Sequence, residues 1–270
     1  MMCYYNGVKV IRSEFIRLKS LEKALANYDF LSKPLHIGFD YSNVPVIKRM
    51  EEVEDFDILQ MEWGFLPSYI KTREQATKFR MGYKKDNGQF QPPILTLNAV
   101  GEELLFPNKM YKDAALKRRC LVLSTGFYEW RHIFPLNKKT GLPLKTAVKY
   151  PYHIGLKGKE YFYIAGIYNP WTDTATGEHI ETLALVTTAA NTLMKQIHNS
   201  KERMPAILTE DLAWEWLFND LEEKRITEIA TYQFPAEQME ACTIGKDFRE
   251  ALEPTERFTY ENLPALDIAV

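Results

Sequence analysis

Cys3 stands third in a chain that opens MMCYYNGVKV. Were the chain to begin at that residue, its α-amine and thiol would form a 1,2-aminothiol. The amine condenses with an aldehyde, and the thiol closes onto the imine as a five-membered thiazolidine; an internal cysteine has no such chemistry. A terminal α-amine titrates near about 7.7–8.0, against about 10.4 for lysine, so at neutral pH far more of it is the uncharged nucleophile. Glu129 lies in Ser124-Thr125-Gly126-Phe127-Tyr128-Glu129-Trp130, an apolar run that enters an aromatic-flanked carboxylate. A carboxylate lodged among rings is disfavoured as an anion, which lifts its pKa toward the range useful for general acid or base work.

Three further segments carry groups of the right type. In Ile197-His198-Asn199-Ser200-Lys201-Glu202-Arg203-Met204-Pro205, a histidine at a helix end precedes a basic residue and a new strand, and histidine is the side chain whose unperturbed pKa suits proton transfer near neutrality. Asn98 ends Leu95-Thr96-Leu97-Asn98-Ala99 with an amide that donates and accepts without changing charge. The run from Trp63 to Pro67, Trp-Gly-Phe-Leu-Pro, offers a surface on which nucleobases could stack. Each residue also has a plainer reading: an incidental near-terminal cysteine, a solvated strand-end glutamate, a structural histidine, a turn asparagine, a core tryptophan.

These groups need a scaffold, and composition limits it. Of 270 residues, 46% are hydrophobic, with 15 Tyr, 15 Phe and 5 Trp, enough for one sizeable core. No stretch approaches the roughly 20 apolar residues of a membrane span and the N-terminus lacks a secretory apolar block, so a cytoplasmic protein is expected. Cys3, Cys120 and Cys242 are odd in number and lack metal-type spacing, which argues against a disulfide framework and a zinc site; no metal or organic cofactor is expected. Net charge is −2, yet residues 210–270 carry 15 acids against 5 bases, leaving the first 209 residues basic, with 29 bases against 21 acids. The bases concentrate between Arg131 and Tyr150 and between Lys71 and Lys85, clusters that attract phosphates or simply face solvent.

Short strands are predicted over Val44–Ile47, Ile58–Trp63, Ile94–Ala99, Cys120–Thr125, Tyr161–Ile167, Leu183–Thr187 and Pro205–Leu208, parts of a mixed sheet or barrel. Ser13 to Tyr28 spaces Phe15, Leu18, Leu21 and Leu25 as an amphipathic helix. Asn191 caps a helix through Ile197; Thr209 caps another holding Leu212, Trp216 and Leu217, followed by one from Glu222 to Thr231. Tyr69–Pro93 and Arg131–Pro151 read as long polar loops beside the site.

Taken in order, the near-terminal Met-Cys, Trp-Gly-Phe-Leu-Pro, Leu-Asn-Ala, Gly-Phe-Tyr-Glu-Trp and a His followed by Arg-Met-Pro resemble the SRAP family, the SOS response-associated peptidases or abasic-site processing proteins. The resemblance implies an α+β fold: one domain over residues 1–270, a distorted β-barrel-like mixed sheet with flanking helices, and residues 210–270 as an acidic, more helical elaboration. It further implies single-stranded DNA carrying an abasic site as partner. The opened sugar's aldehyde would be captured by Cys3 in lyase-like imine chemistry, with Glu129 shuttling protons, His198 assisting as acid or base and Asn98 orienting Cys3 or the sugar. Trp63, Pro67, Arg118, Trp130 and Arg203 would contact DNA. A peptidase step that removes the residues ahead of Cys3 is also implied, and the expected native start is Met2 or a chain processed to Cys3.

Two departures from the family pattern stand out. Val100 occupies the position of an arginine two residues after the motif Asn, leaving Arg80, Arg118, Arg119 and Arg203 as replacements, and His198 lies five residues before Arg203 rather than two. Two other functions remain open: an autoprocessing thiol peptidase or amidohydrolase without a DNA role, and a non-catalytic binder of single-stranded DNA.

Overall fold

The computed structural model describes residues 3–267. Its centre is the strand Arg119–Ser124, which is buried along most of its length because both faces are covered. Cys120 and Val122 face one core, Leu121 and Leu123 the other, as the two-residue period requires. Four more strands close a ring with it. Arg119–Ser124 pairs antiparallel with Asn43–Arg49, which pairs antiparallel with Phe56–Trp63. Phe56–Trp63 pairs parallel with His179–Ala189, which returns antiparallel to Phe162–Thr172 and so to the starting strand. A five-stranded closed barrel with one parallel pairing results, and Asn98–Val100, Arg203–Pro205 and Ile207–Leu208 extend it to eight strands. The fold is α+β.

A five-stranded antiparallel sheet lies against one face, in the order Met239–Thr243, Val148–Leu156, Gly126–Ile133, Tyr5–Lys9, Ser32–Ile37. Phe127, Tyr128 and Ile154 from this sheet meet Val44, Val122, Ile164 and Leu185 from the barrel in one core. On the other face the helices Lys112–Lys117, Glu210–Phe218 and Glu223–Ala230 bury Ala115, Trp216 and Ile229 against Leu121, Ala165 and Val186. The Trp216 indole N–H is shared between the carbonyls of Cys120 and Gly166 at 3.0 and 3.1 Å. Asn191 and Thr209 cap their helices as expected, accepting from the amides of Met194 and Leu212. No helix among the described residues is long and apolar enough to cross a membrane.

The structure corrects three expectations about elements. Ser13 to Tyr28 is not a helix: Phe15–Leu18 and Leu21–Ala24 pair as a hairpin, followed by a short 3₁₀ turn, Leu25–Asn27. The turn places Lys19 at φ 53°, and Ile16 and Leu18, both fully buried, follow a period of two. Ser13 caps nothing; its amide and hydroxyl donate to the Glu160 carboxylate. The segment 69–93 is not a plain loop but holds the helix Arg73–Met81, capped by Thr72, and the small ladder Tyr83–Lys84 with Phe90–Gln91. The second basic loop shrinks to residues 134–147, because the strands at either end run into it. Residues 210–267 carry the helices Glu210–Phe218 and Glu223–Ala230 and the 3₁₀ turn Ala236–Gln238; Met239–Thr243 then forms the sheet's edge, and Phe248 stacks on Tyr128 at 5.1 Å with planes 11° apart.

Candidate active site

Three elements bring the chemical residues together. Cys3 sits just before the strand Tyr5–Lys9, Glu129 lies in the neighbouring strand Gly126–Ile133, and His198 ends the helix Thr192–Ile197, which packs on that second strand. All three are buried, Cys3 at 2% exposure, Glu129 at 3% and His198 at 2%. The Cys3 thiol and the Glu129 carboxyl lie close enough to act on each other electrostatically, and His198 Nε2 lies 3.6 Å from Glu129 Oε2.

Burial is the main cause of the electrostatics. It lifts the Glu129 carboxyl above the ordinary carboxylate range, although His198 and the Cys3 thiol pull the other way. Burial also lifts the Cys3 thiol well above its usual value; the Glu129 charge adds to this, while Arg203 opposes it. The thiol is therefore held protonated beside a carboxyl that keeps its own proton to unusually high pH. His198 Nδ1 lies 2.8 Å from the Arg203 carbonyl, which can only accept, so Nδ1 carries the hydrogen. Nε2, the other ring nitrogen, faces Glu129.

The residues between His198 and Arg203 form a tight turn, and the His198 ring lies against Glu129. The amides of Lys201 and Glu202 both return to the His198 carbonyl, and Glu202 takes φ 51° to close the turn. Asn199 then ties the turn to the Glu129 strand: its Oδ1 accepts from the His132 amide at 2.9 Å, and its Nδ2 donates to the His132 carbonyl at 2.8 Å.

Arg203 is the arginine that the site retains. Its guanidinium forks onto Glu102, Nη1 to Oε1 at 2.8 Å and Nη2 to Oε2 at 2.7 Å, and Nη2 also reaches the Thr187 carbonyl at 2.6 Å. The other candidates for replacing an arginine at position 100 have internal partners. Arg80 bonds Glu62 and the Gly64 carbonyl, Arg119 donates to four backbone carbonyls, and Arg118 pairs with Asp113 at 2.7 Å. Glu102 escaped the sequence reading because its partner is 101 residues away; its one local signal is an acidic pair after Val100-Gly101.

Asn98 enters on the short strand Asn98–Val100, which pairs with the strand that carries Thr187. It is 5% exposed, and neither its Oδ1 nor its Nδ2 has a hydrogen-bond partner among the described residues; Glu129 Oε1 is in the same state. Buried polar atoms are almost always bonded, and these three lack a partner among the described residues. Trp63 does not offer a stacking face: it is 1% exposed, its indole N–H donates to the Leu97 carbonyl at 2.8 Å, and Pro67 beside it is buried as well. Both belong to the core. Trp130 is half-buried, edge-on to Tyr5 at 4.9 Å. Among the described residues no group of three His, Cys, Asp or Glu side chains is placed to hold a metal ion. Met1 and Met2 lie outside the described residues.

Known proteins share this arrangement of strands. A solved structure from Bacteroides thetaiotaomicron matches 94% of this chain and 97% of its own at 26% identity, with a TM-score of 0.67. One from Bordetella bronchiseptica, 16% identical, has the same fold with a TM-score of 0.60 over 90% of this chain and 100% of its own. Among curated relatives, the abasic site processing protein YoqW of Bacillus subtilis is 28% identical over 186 residues, covering 69% of this chain and 68% of that protein. The abasic site processing protein HMCES of Gallus gallus is 29% identical over 194 residues, covering 65% of this chain and 51% of that protein. The profile of one family matches residues 26–250, more than four-fifths of the sequence, and the chain belongs to that family, the SOS response associated peptidases (SRAP).

Proposed function

We propose that this protein processes abasic sites in single-stranded DNA by capturing the opened sugar covalently at Cys3, once Cys3 is the first residue of the chain. The observation that carries the reading is the burial of Cys3 together with Glu129, with His198 Nε2 3.6 Å from the same carboxyl. The names of the YoqW and HMCES relatives support the choice of lesion.

The chemistry follows from the proton inventory. A protonated Glu129 donates to the ring oxygen while His198 Nε2 takes the proton of the anomeric hydroxyl and returns it to the carboxylate, so the closed sugar opens to its aldehyde with the carboxyl again protonated. The α-amine of Cys3 adds to the aldehyde carbon, and the carbinolamine hydroxyl leaves as water with a proton from the same carboxyl. Loss of that water leaves the iminium with its N–H; the thiol adds to the iminium carbon, its proton passes to the Glu129 carboxylate and the C=N π pair to nitrogen, which closes the neutral thiazolidine. One water is lost overall and nothing is oxidised or reduced. His198 Nε2 resets the carboxyl between steps, and the amide of Asn98 bonds the sugar or the amine.

A Cys3 thiolate peptidase is the weaker reading. Such nucleophiles have a depressed pKa and an imidazolium partner, whereas this thiol is raised and the histidine faces the carboxyl instead. The test is to incubate protein bearing a free N-terminal Cys3 with a single-stranded oligonucleotide containing one abasic site. A heat-stable adduct on a denaturing gel, with the summed mass less one water and absent in Cys3→Ala, is expected. Native-gel retardation with no adduct would refute covalent capture, and absence of any DNA association would refute the DNA role altogether.

A further inference from the structure

Residues 69–95 form a lobe in which the helix Arg73–Met81 faces the hairpin of Tyr83–Lys84 and Phe90–Gln91. Gly82 joins the two at φ +74°, and a Cβ there would meet the Phe90 ring at 2.8 Å, so the tight junction depends on glycine. Between helix and hairpin runs an open groove of about 410 Å³ with Tyr69, Phe79, Tyr83 and Ile94 among its walls. Tyr69 is 58% exposed and Tyr83 38%. The ladder register sets Tyr83 opposite Gln91 on the groove face and Lys84 opposite Phe90 on the reverse face.

The fringe of this groove is positive. Residues 69–95 carry six bases against two acids, and Lys71 and Lys85 are exposed with no ion pair among the described residues. Lys78 Nζ lies 5.9 Å from the Tyr83 ring centroid. The lobe is also continuous with the candidate site. The Ile94 amide bonds the Phe79 carbonyl, and the chain runs on through Leu97 to Asn98. Tyr111 donates its hydroxyl to the Asn98 carbonyl at 3.3 Å and lies close enough to both Tyr69 and Tyr4 for each to act on it electrostatically.

Exposed rings rimmed by unpaired lysines, leading into a site for an opened sugar, match single-stranded DNA: bases stack on the rings and phosphates meet the lysines. We infer that the 69–95 lobe docks the single strand flanking the captured lesion, an inference that rests on the function proposed above. Stacking on one ring accounts for about a tenfold change in affinity.

The experiment compares two oligonucleotides, each with one abasic site, one ending next to the lesion and one extended on both sides; the half-saturating concentration for adduct formation is measured for each. The wild-type protein is expected to need at least about tenfold less of the extended strand. Tyr69→Ala/Tyr83→Ala is expected to treat the two lengths alike, and Lys71→Glu/Lys85→Glu to show a shallower salt dependence on the extended strand. Phe90→Ser, on the reverse face, should retain the length preference. If the wild type shows no length preference, or the tyrosine variant keeps it, the docking inference is wrong while adduct formation still upholds the Cys3 chemistry. If no adduct forms but both lengths bind and the tyrosine variant loses the difference, the Cys3 chemistry fails and the docking surface stands. Concentration-dependent self-association abolished by Tyr69→Ala/Tyr83→Ala would assign the groove to a second copy of this chain and overturn the inference.

Discussion

Desolvation keeps the proton on Glu129 to a pH above that of a free glutamate, and this has a consequence for stability as well as chemistry. The protonated carboxyl contributes its full share to folding below the unfolded value of about 4.3, and that share is lost as pH rises through the raised folded value. Glu129→Gln keeps the shape and removes the ionisation. The melting temperature of this variant, relative to wild type, should therefore climb between about pH 5 and pH 8, while adduct formation falls by roughly 10²–10⁴ with the loss of the proton donor. A melting difference that is flat across that range would show that Glu129 does not titrate as a buried acid. A second contrast concerns two buried asparagines. Asn191 accepts from the Met194 amide and donates to the Phe234 carbonyl, whereas neither polar atom of the Asn98 side chain has a partner among the described residues. Alanine at 191 should cost about 1–3 kcal/mol and at 98 less than about 1 kcal/mol. Denaturant titrations of the two variants giving equal losses would remove the argument that the Asn98 amide is reserved for a bound molecule.

Elements were legible from the sequence wherever one periodicity was enforced from both sides. Arg119–Ser124 and Asn43–Arg49 read as strands because Cys120, Leu121, Val122 and Leu123, and Val44, Val46 and Ile47, each pack into one core or the other. Phe15 to Leu25 did not, since Phe15, Leu18, Leu21 and Leu25 satisfy a helical spacing equally well, and the alternation of Ile16 with Leu18 emerges only against Glu160 and the barrel. The helix Arg73–Met81 was hidden because it buries only Ala76, Phe79 and Arg80. The residues now seen in contact, Cys3, Glu129, His198 and Arg203, were nameable from their motifs; Glu102 was not, because its role exists only through the tertiary contact with Arg203. Gly126 tests how tightly the Glu129 strand is seated. A Cβ there would run into the His153 imidazole across the sheet. Gly126→Ala must push apart Gly126–Ile133 and Val148–Leu156, which should destabilise the fold by about 1–3 kcal/mol. Thermal unfolding reads the change, and an unaltered midpoint would mean that the ring swings aside at no cost.

For the molecule as a whole, acid stability is governed by histidines kept neutral. Burial, with Lys33 nearby, lowers the pKa of His36 to about 4, and burial lowers that of His153 to about 4 where it packs 5.1 Å from the Tyr128 ring. In the unfolded chain both regain the ordinary value near 6.5. The unfolded state then binds more protons than the native state between those limits, so stability is full above about pH 6.5 and falls as pH drops toward 4. His36, at 3% exposure, accounts for about 3 kcal/mol of that fall; half-buried His153 contributes less, because solvent screens it. The trend opposes that of Glu129, whose ionisation weakens the fold as pH rises, so the two kinds of group confine the stability maximum to the neighbourhood of neutrality. Denaturation by urea at about pH 7, 5.5 and 4.5 should show a steep loss in wild type and a shallower one in His36→Leu/His153→Phe. The double variant removes both proton-binding sites from the unfolded chain, so an undiminished pH slope would assign the acid sensitivity to carboxylates in ion pairs, Asp55 with Lys23 and Asp113 with Arg118.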